Sequence, residues 1–491
     1  MGSTDITFTN SLKTKASHGV QWTAIASVVS VFIQFTQITI LGHMLLPKDF
    51  GLMAMVMIIV EFSQIYADMG LSTAIIQRKD PKIEELSTLY WFNICVGICI
   101  FILLIIFSPI VAKILHIKEL KEIIWVFSLV FIISPFGSQF QSILSKSLKF
   151  DILAFIEIGS MFTGLIVAII LAYFKQGVWS LVFGQMSKII VQSLFFTYYG
   201  WSKLSRPLFY FKISNLKDYL SFGIYRVGIV SASLLGARID QLIIGIVLGS
   251  SALGYYDMAS RLAFTIVQKI NPILTTVAFP IFSIVQEDIP ILKKGYLKMI
   301  QMLTFINAPI LIGFSAIASN AIPIFLGEQW VPAISTIQIL TFCSLVRSID
   351  NAGTNLIYAK GYINWHFYWS CALLFIIPAV IYASGKNLTP EKVALSMTFL
   401  QIVLSLLLYY VFIRRIIGHC FIDYIRTIGL PIILALCMAI TINLFNFFDL
   451  YLSISFYLGF QICFAIIIYI LLSWIFNRQS LMEFIRFLTR F

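Results

Sequence analysis

STLYWFNICVGICIFILLIIFSPIV, running from Ser87 to Val111, contains no charged side chain. A helix crossing the roughly 30 Å hydrocarbon core of a bilayer needs about 20 mostly apolar residues, and this stretch meets that need alone. Outward from it, comparable runs recur at 19–46, 50–76, 122–145, 152–174, 179–199, 219–247, 254–285, 295–319, 333–358, 364–384, 390–413, 424–447 and 454–476. Together they predict an all-α polytopic membrane protein with about fourteen transmembrane helices. Pro272, Pro280 and Pro309 lie inside such runs and are expected kink sites.

Composition agrees. The 491 residues are 59% hydrophobic and 11% charged, with a mean hydropathy of +0.94, whereas a soluble domain is about 25% charged. A net charge of +12 would suggest nucleic acid in a soluble protein. Here the charges cluster at span ends, so no nucleic-acid partner is expected. With the N-terminus cytoplasmic, 21 Lys and Arg fall in inside segments and 7 in outside segments. Cytoplasmic loops carry just such an excess, so both termini are expected in the cytoplasm. The seven cysteines sit almost entirely within apolar runs and read as small buried hydrophobes rather than disulfides. Met1 to Asn10 is polar and lacks the start of a signal peptide, so the first apolar helix is expected to be the targeting signal. The five histidines show neither metal-ligand nor triad spacing, so no metal and no catalytic residue are expected.

A weak internal echo organises the spans. At a shift of 203 residues, Ile40, Gly42, Leu45 and Gly51 fall on Ile243, Gly245, Leu248 and Gly254. Both copies straddle the turn between the first two helices of a half, with six spans between them, which suggests two parallel six-helix bundles. The expected division is 1–18 as a cytoplasmic N-terminal segment and 19–200 as an N-lobe of spans one to six. A cytoplasmic linker follows at 201–218, then a C-lobe of spans seven to twelve at 219–413. Residues 414–491 hold spans thirteen and fourteen and a cytoplasmic tail.

Three stretches carry a family resemblance: KTKASHGVQWTAIASVVSVFIQFTQITILGHMLLPKDFGLMAM from Lys13, DMGLSTAIIQRKD from Asp68, and RIDQLIIGIVLGSSALGYYDMASRLAF from Arg238, with AFPIFS from Ala278. The chain resembles the polysaccharide transporters, or O-antigen-type flippases, of the multidrug/oligosaccharidyl-lipid/polysaccharide exporter superfamily. The resemblance implies two bundles around a central cavity, opening alternately to the two sides of a bacterial cytoplasmic membrane. The implied cargo is a polyprenyl-pyrophosphate-linked oligosaccharide repeat unit for surface polysaccharide, moved from the inner to the outer leaflet. No cofactor is implied. H+ or Na+ is the candidate coupling ion, membrane lipid the surroundings, and a polysaccharide polymerase or assembly protein a candidate partner.

Ionisable groups inside spans point to function, because each costs about 2.5–3.5 kcal/mol at mid-bilayer. Asp257 and Arg261 are spaced i,i+4, and Arg347 and Asp350 i,i+3, so each pair is expected to close on its own helix. Lys188, Arg226, Arg238 and Lys269 have no opposite charge one turn away. With Arg347 they are candidate cavity cations for phosphate or carboxylate. Alternatively a carboxylate on another helix, such as Glu61, Asp68 or Asp240, meets them. Asp350, Asn351, Asn355 and Tyr358 form a polar stripe expected to face protein or a watery cavity. Asp68, Glu61 and Asp350 are the candidate ion-coupling carboxylates.

Other function classes stay open. A peptidoglycan lipid-precursor flippase fits the same plan, and a drug/cation antiporter would place acids rather than bases in its cavity. A membrane enzyme would need a catalytic cluster in a large outer loop, and the longest outside segment, Asn320 to Pro332, holds only Glu328 as an ionisable residue.

Overall fold

All regular structure among the described residues is helical. The computed structural model describes residues 3–78, 81–204, 206–385, 387–445 and 454–488. Side chains at 3–18, 20, 215, 217–218, 220–226, 276–281, 363–364, 366–367, 445, 454–455 and 487–488 fall outside that description. Among the described residues seventeen α-helices follow in order. The first eight are α1 (Ser3–Met44), α2 (Pro47–Asp68), α3 (Leu71–Gln77), α4 (Ile83–Ile114), α5 (Glu119–Ser128), α6 (Val130–Lys146), α7 (Phe150–Tyr173) and α8 (Val178–Tyr199). Next come α9 (Lys217–Ile284), α10 (Ile289–Leu326), α11 (Ile334–Ala359), α12 (Ile363–Ala383), α13 (Pro390–Leu408) and α14 (Arg414–Ile417). The chain ends with α15 (Phe421–Phe445), α16 (Ile454–Phe476) and α17 (Arg478–Leu488).

Local chemistry sets several boundaries. Pro47 opens α2, and Asp49 Oδ2 accepts from the Leu46 amide at 3.0 Å, which satisfies a donor at the helix start. Met69 and Gly70, at φ 45° and 73°, then stop it, so the run expected at 50–76 is two helices. Pro390 opens α13 behind Thr389, whose hydroxyl accepts from the Lys392 amide. Pro309 leaves α10 unbroken.

Helix α9 is the longest element, and Gly249 (φ 83°, ψ −179°) is its one non-helical residue among those described. Its apolar part, Val227–Thr275, spans 49 residues. Unbroken, that would extend about 74 Å, over twice the bilayer core. The interruption falls at Gly249 and not at Pro272. Only glycine enters this backbone region readily.

Contacts divide the chain into two units, one of residues 1–238 and 245–251, the other of 239–244 and 252–491. In the first, α7 packs on α1 and α8, and α6 on α4 and α8. Helices in lipid associate through close packing, which small residues permit. Gly164 and Gly184 bring α7 and α8 so near that a Cβ on Gly164 would meet the Gly184 carbonyl at 2.7 Å. Gly137 does the same for α6 against Ser193 of α8. In the second unit α10 is the hub for α11, α15 and α16, and α11 also packs on α13. Its core gathers Ile300, Leu303, Leu356 and Ile413, with a second cluster around Leu311, Ala435 and Ile442.

Twelve helical segments among the described residues are long and apolar enough to cross a membrane. The protein is a multi-pass membrane protein.

Candidate functional site

The first unit contains a cavity of about 580 Å³ whose wall is built from four helices. Glu61, Gln64 and Asp68 come from α2, at the i, i+3, i+7 spacing that places all three on one helix face. Ser134, Ser138 and Gln141 come from α6, Gln192 and Ser193 from α8, and the apolar Val227, Val230 and Leu234 from α9. The close α6–α8 crossing at Gly137 forms part of this wall, and Ser193 Oγ donates to the Ile133 carbonyl at 2.7 Å.

Glu61 meets Arg238 of α9 in a two-point ion pair, Nε to Oε2 at 3.2 Å and Nη2 to Oε1 at 3.1 Å. Both side chains stay about one-third exposed. The alternative offered by the sequence, a carboxylate on another helix, therefore holds for Arg238. Asp68 accepts from the hydroxyl and amide of Ser72, which ties it to the start of α3. Lys188 is half-buried on α8, beside Gly164. Arg226 has its side chain outside the described residues.

In the second unit Asp350 is held from α13, by Gln401 Nε2 at 2.8 Å and Ser405 Oγ at 2.6 Å. The expected closure of Arg347 on Asp350 is not made. Arg347 is exposed and lies over the Phe264 ring at 5.5 Å. The neutral hydroxyl and amide on α13 reach the carboxylate better than a guanidinium on the same helix. Asp257 and Arg261 do pair, at 2.6 Å. Along the stripe of α11, Asn355 donates to the Asn351 carbonyl and side-chain oxygen, and Tyr358 is half-buried. Lys269 is exposed and, among the described residues, joins no ion pair.

Two features escaped the sequence reading. The uncharged face of α6 and α8 (Ser134, Ser138, Gln141, Gln192) has helical spacing but no charge to draw attention to it. A buried amide cluster joins Asn271, Asn307 and Ser348 of α9, α10 and α11. In it Asn307 Nδ2 donates to Asn271 Oδ1 at 3.0 Å, and Asn271 Nδ2 to the Ser348 carbonyl at 3.2 Å. Each residue alone looks like an isolated polar position in an apolar run.

Known proteins resemble this chain in sequence and in fold. A family model described as "Polysaccharide biosynthesis protein" matches residues 40–335. The lipopolysaccharide biosynthesis protein WzxC of Escherichia coli (strain K12) is 29% identical over 87% of this chain and 86% of its own length. The teichuronic acid biosynthesis protein TuaB of Bacillus subtilis (strain 168) is 32% identical over 75% of this chain and 76% of its own. Among solved structures, the lipid II flippase MurJ in an inward closed conformation superposes with a TM-score of 0.76 at 15% identity. That superposition covers 94% of this chain and 100% of MurJ, and at such low identity it speaks for the fold. With the matched model spanning more than half its length, the chain belongs to the polysaccharide biosynthesis protein family.

Proposed function

We propose that this protein is a flippase carrying a polyprenyl-pyrophosphate-linked oligosaccharide from the inner to the outer leaflet of the bacterial cytoplasmic membrane, for surface polysaccharide assembly. One observation carries the reading: helices of a membrane-spanning bundle line an open cavity in which Glu61, Gln64, Asp68, Gln141 and Gln192 stand among apolar side chains. Polar groups facing a void inside a bilayer are costly unless a polar solute or water occupies it. Family membership and the names of the relatives support the same cargo class. The reaction needs no covalent step. Amides, hydroxyls and the Arg238 guanidinium replace water around sugars and phosphates, while the polyprenyl chain stays in lipid.

The topology that serves this function has fourteen spans. Two come from α9, divided at Gly249, and one from α12, of which Tyr368–Ala383 is already counted as apolar. Both termini are cytoplasmic in this scheme, following the Lys and Arg distribution. The residues that take the cargo are drawn from Arg226, Arg238, Lys269, Lys188 and Arg347. Asp68, Glu61 and Asp350 are the carboxylates proposed to couple transport to H+ or Na+, and a polysaccharide polymerase or assembly protein is the proposed partner.

The test is deletion in the native host, with lipid-linked oligosaccharides quantified by mass spectrometry beside the surface polymer. One repeat unit accumulating on the inner leaflet, with loss of one polymer, is the expected result. An unchanged lipid pool with new sensitivity to cationic compounds would overturn the reading in favour of a drug antiporter.

A further inference from the structure

The stretch WSKLSRPLFYFKISNL, Trp201 to Leu216, contains no acidic residue. It begins in the last turn of the apolar span Val178–Leu204, and from Arg206 on it is strapped across one end of the first unit. The Leu208 amide donates to Ser87 Oγ at 2.9 Å, and Trp91 Nε1 donates to the Leu208 carbonyl at 2.8 Å. Trp91 stacks on Phe209 with centroids 5.2 Å apart. Further on, Leu216 and Tyr219 are buried. Tyr219 donates to Glu85 at 3.0 Å and lies under the Arg78 guanidinium at 4.8 Å. The strap is thereby fixed to α4 at its middle, and at its far end Leu216 and Tyr219 cluster with Leu71, Ala74 and Ile75 of α3.

What it leaves open is chemically distinctive. Phe209 is 96% exposed, Ile213 75% and Phe211 51%. Lys203, Arg206 and Lys212 are exposed among them, and Lys149 lies over the neighbouring Tyr199 ring at 5.7 Å. Rings and cations interleaved at the end of a membrane span match the composition of a membrane–water interface. Clustered Lys and Arg beside a span attract anionic lipid headgroups.

We infer that this strap is a binding surface for anionic phospholipid headgroups, with Phe209, Phe211 and Ile213 inserted at the edge of the hydrocarbon and Lys203, Arg206 and Lys212 holding the phosphates. The occupant is a lipid of the bilayer itself. Charge complementarity selects anionic over zwitterionic headgroups, and anchoring by Ser87, Trp91 and Tyr219 presents the basic side chains without a large ordering penalty. The inference rests on the chain spanning a membrane and not on what it carries.

The test uses the full chain in nanodiscs of phosphatidylcholine, with and without phosphatidylglycerol, and reads hydrogen exchange of the 204–214 peptide together with thermal stability. Phosphatidylglycerol should slow exchange in that peptide and raise the unfolding temperature, and added NaCl should cancel both effects. The Lys203→Gln/Arg206→Gln/Lys212→Gln variant should bind phosphatidylglycerol at least tenfold more weakly, on the basis of roughly fivefold per charge. A Lys113→Gln/Lys118→Gln/Lys121→Gln variant, altered at the other end of α4, should behave as wild type. Equal protection in both lipids, full retention of binding by the first variant, or protection by inorganic phosphate alone would overturn it. Should the first variant fail to fold, the salt response of the wild type decides: an effect of phosphatidylglycerol indifferent to NaCl refutes the electrostatic surface.

Discussion

Arg238 and Glu61 meet through Nε and Nη2 on one side of the guanidinium although they lie 177 positions apart in the chain. Glu61 lines the first unit's cavity, and the pair is neither fully wet nor fully dry, with each side chain about one-third exposed. A carboxylate so placed neutralises the cation, and under the proposed function it would compete with an anionic cargo for it. Glu61→Gln and Arg238→Gln are each expected to lower transport of the lipid-linked precursor about tenfold at unchanged membrane levels. A double-mutant cycle on thermal stability should return a coupling of about 1–2 kcal/mol. Wild-type transport in both single variants would remove the pair from the mechanism.

Gly249 is the point at which α9 is divided, and a Cβ there would meet nothing within 4 Å. Its requirement is purely one of backbone conformation. Gly249→Ala is expected to cost of order 1–3 kcal/mol, read as a lowered unfolding temperature in detergent. Unchanged stability would show that the break does not depend on glycine.

Gly137 is restricted by space instead. A Cβ there would stand 2.7 Å from Ser193 Cα and 2.8 Å from its carbonyl oxygen. Gly137→Ala should push α6 from α8, destabilise by about 1–3 kcal/mol and distort the cavity wall. Gly159→Ala on α7, where a Cβ meets nothing within 4 Å, should be neutral or stabilising by up to about 1 kcal/mol through helix propensity. Thermal unfolding of the two variants side by side separates packing from propensity.

Asp350 is satisfied by Gln401 and Ser405 of α13. Asp350→Ala should cost about 1–3 kcal/mol, because it leaves two donors without their acceptor. Asp350→Asn can keep a hydrogen-bonded arrangement and should fold nearly as well. If the carboxylate couples ion movement, Asp350→Asn should lose the response of transport to an imposed proton or sodium gradient while still binding cargo. Retention of that response in reconstituted vesicles would exclude Asp350 from coupling.

Apolar runs such as Ser87 to Val111 announced their helices, since in lipid every backbone group must be satisfied within the segment and only length and polarity remain to be read. The break after Asp68 was harder to see. Met69 and Gly70 end α2 by adopting positive φ, which hydropathy does not register. Local charge spacing succeeded for Asp257 with Arg261 and failed for Arg347 with Asp350, because α13, distant in sequence, offered Asp350 better-placed donors. The Glu61–Arg238 contact was accessible only as one of several alternatives, since nothing local sets which helices become neighbours. The amide cluster of Asn271, Asn307 and Ser348 left no trace, its members being neutral and scattered over three helices.

Many hydroxyls in this chain, among them Ser87, Thr88, Thr197 and Thr304, donate to carbonyls one turn back in their own helix. They are satisfied as soon as the helix forms. Glu61 is not, because its partner lies 177 residues downstream. At roughly 5–20 residues per second, Arg238 leaves the ribosome on the order of ten to thirty seconds after Glu61. For that interval the nascent second helix carries an acid without its cation, so Glu61 needs water or another polar partner until Arg238 of α9 arrives.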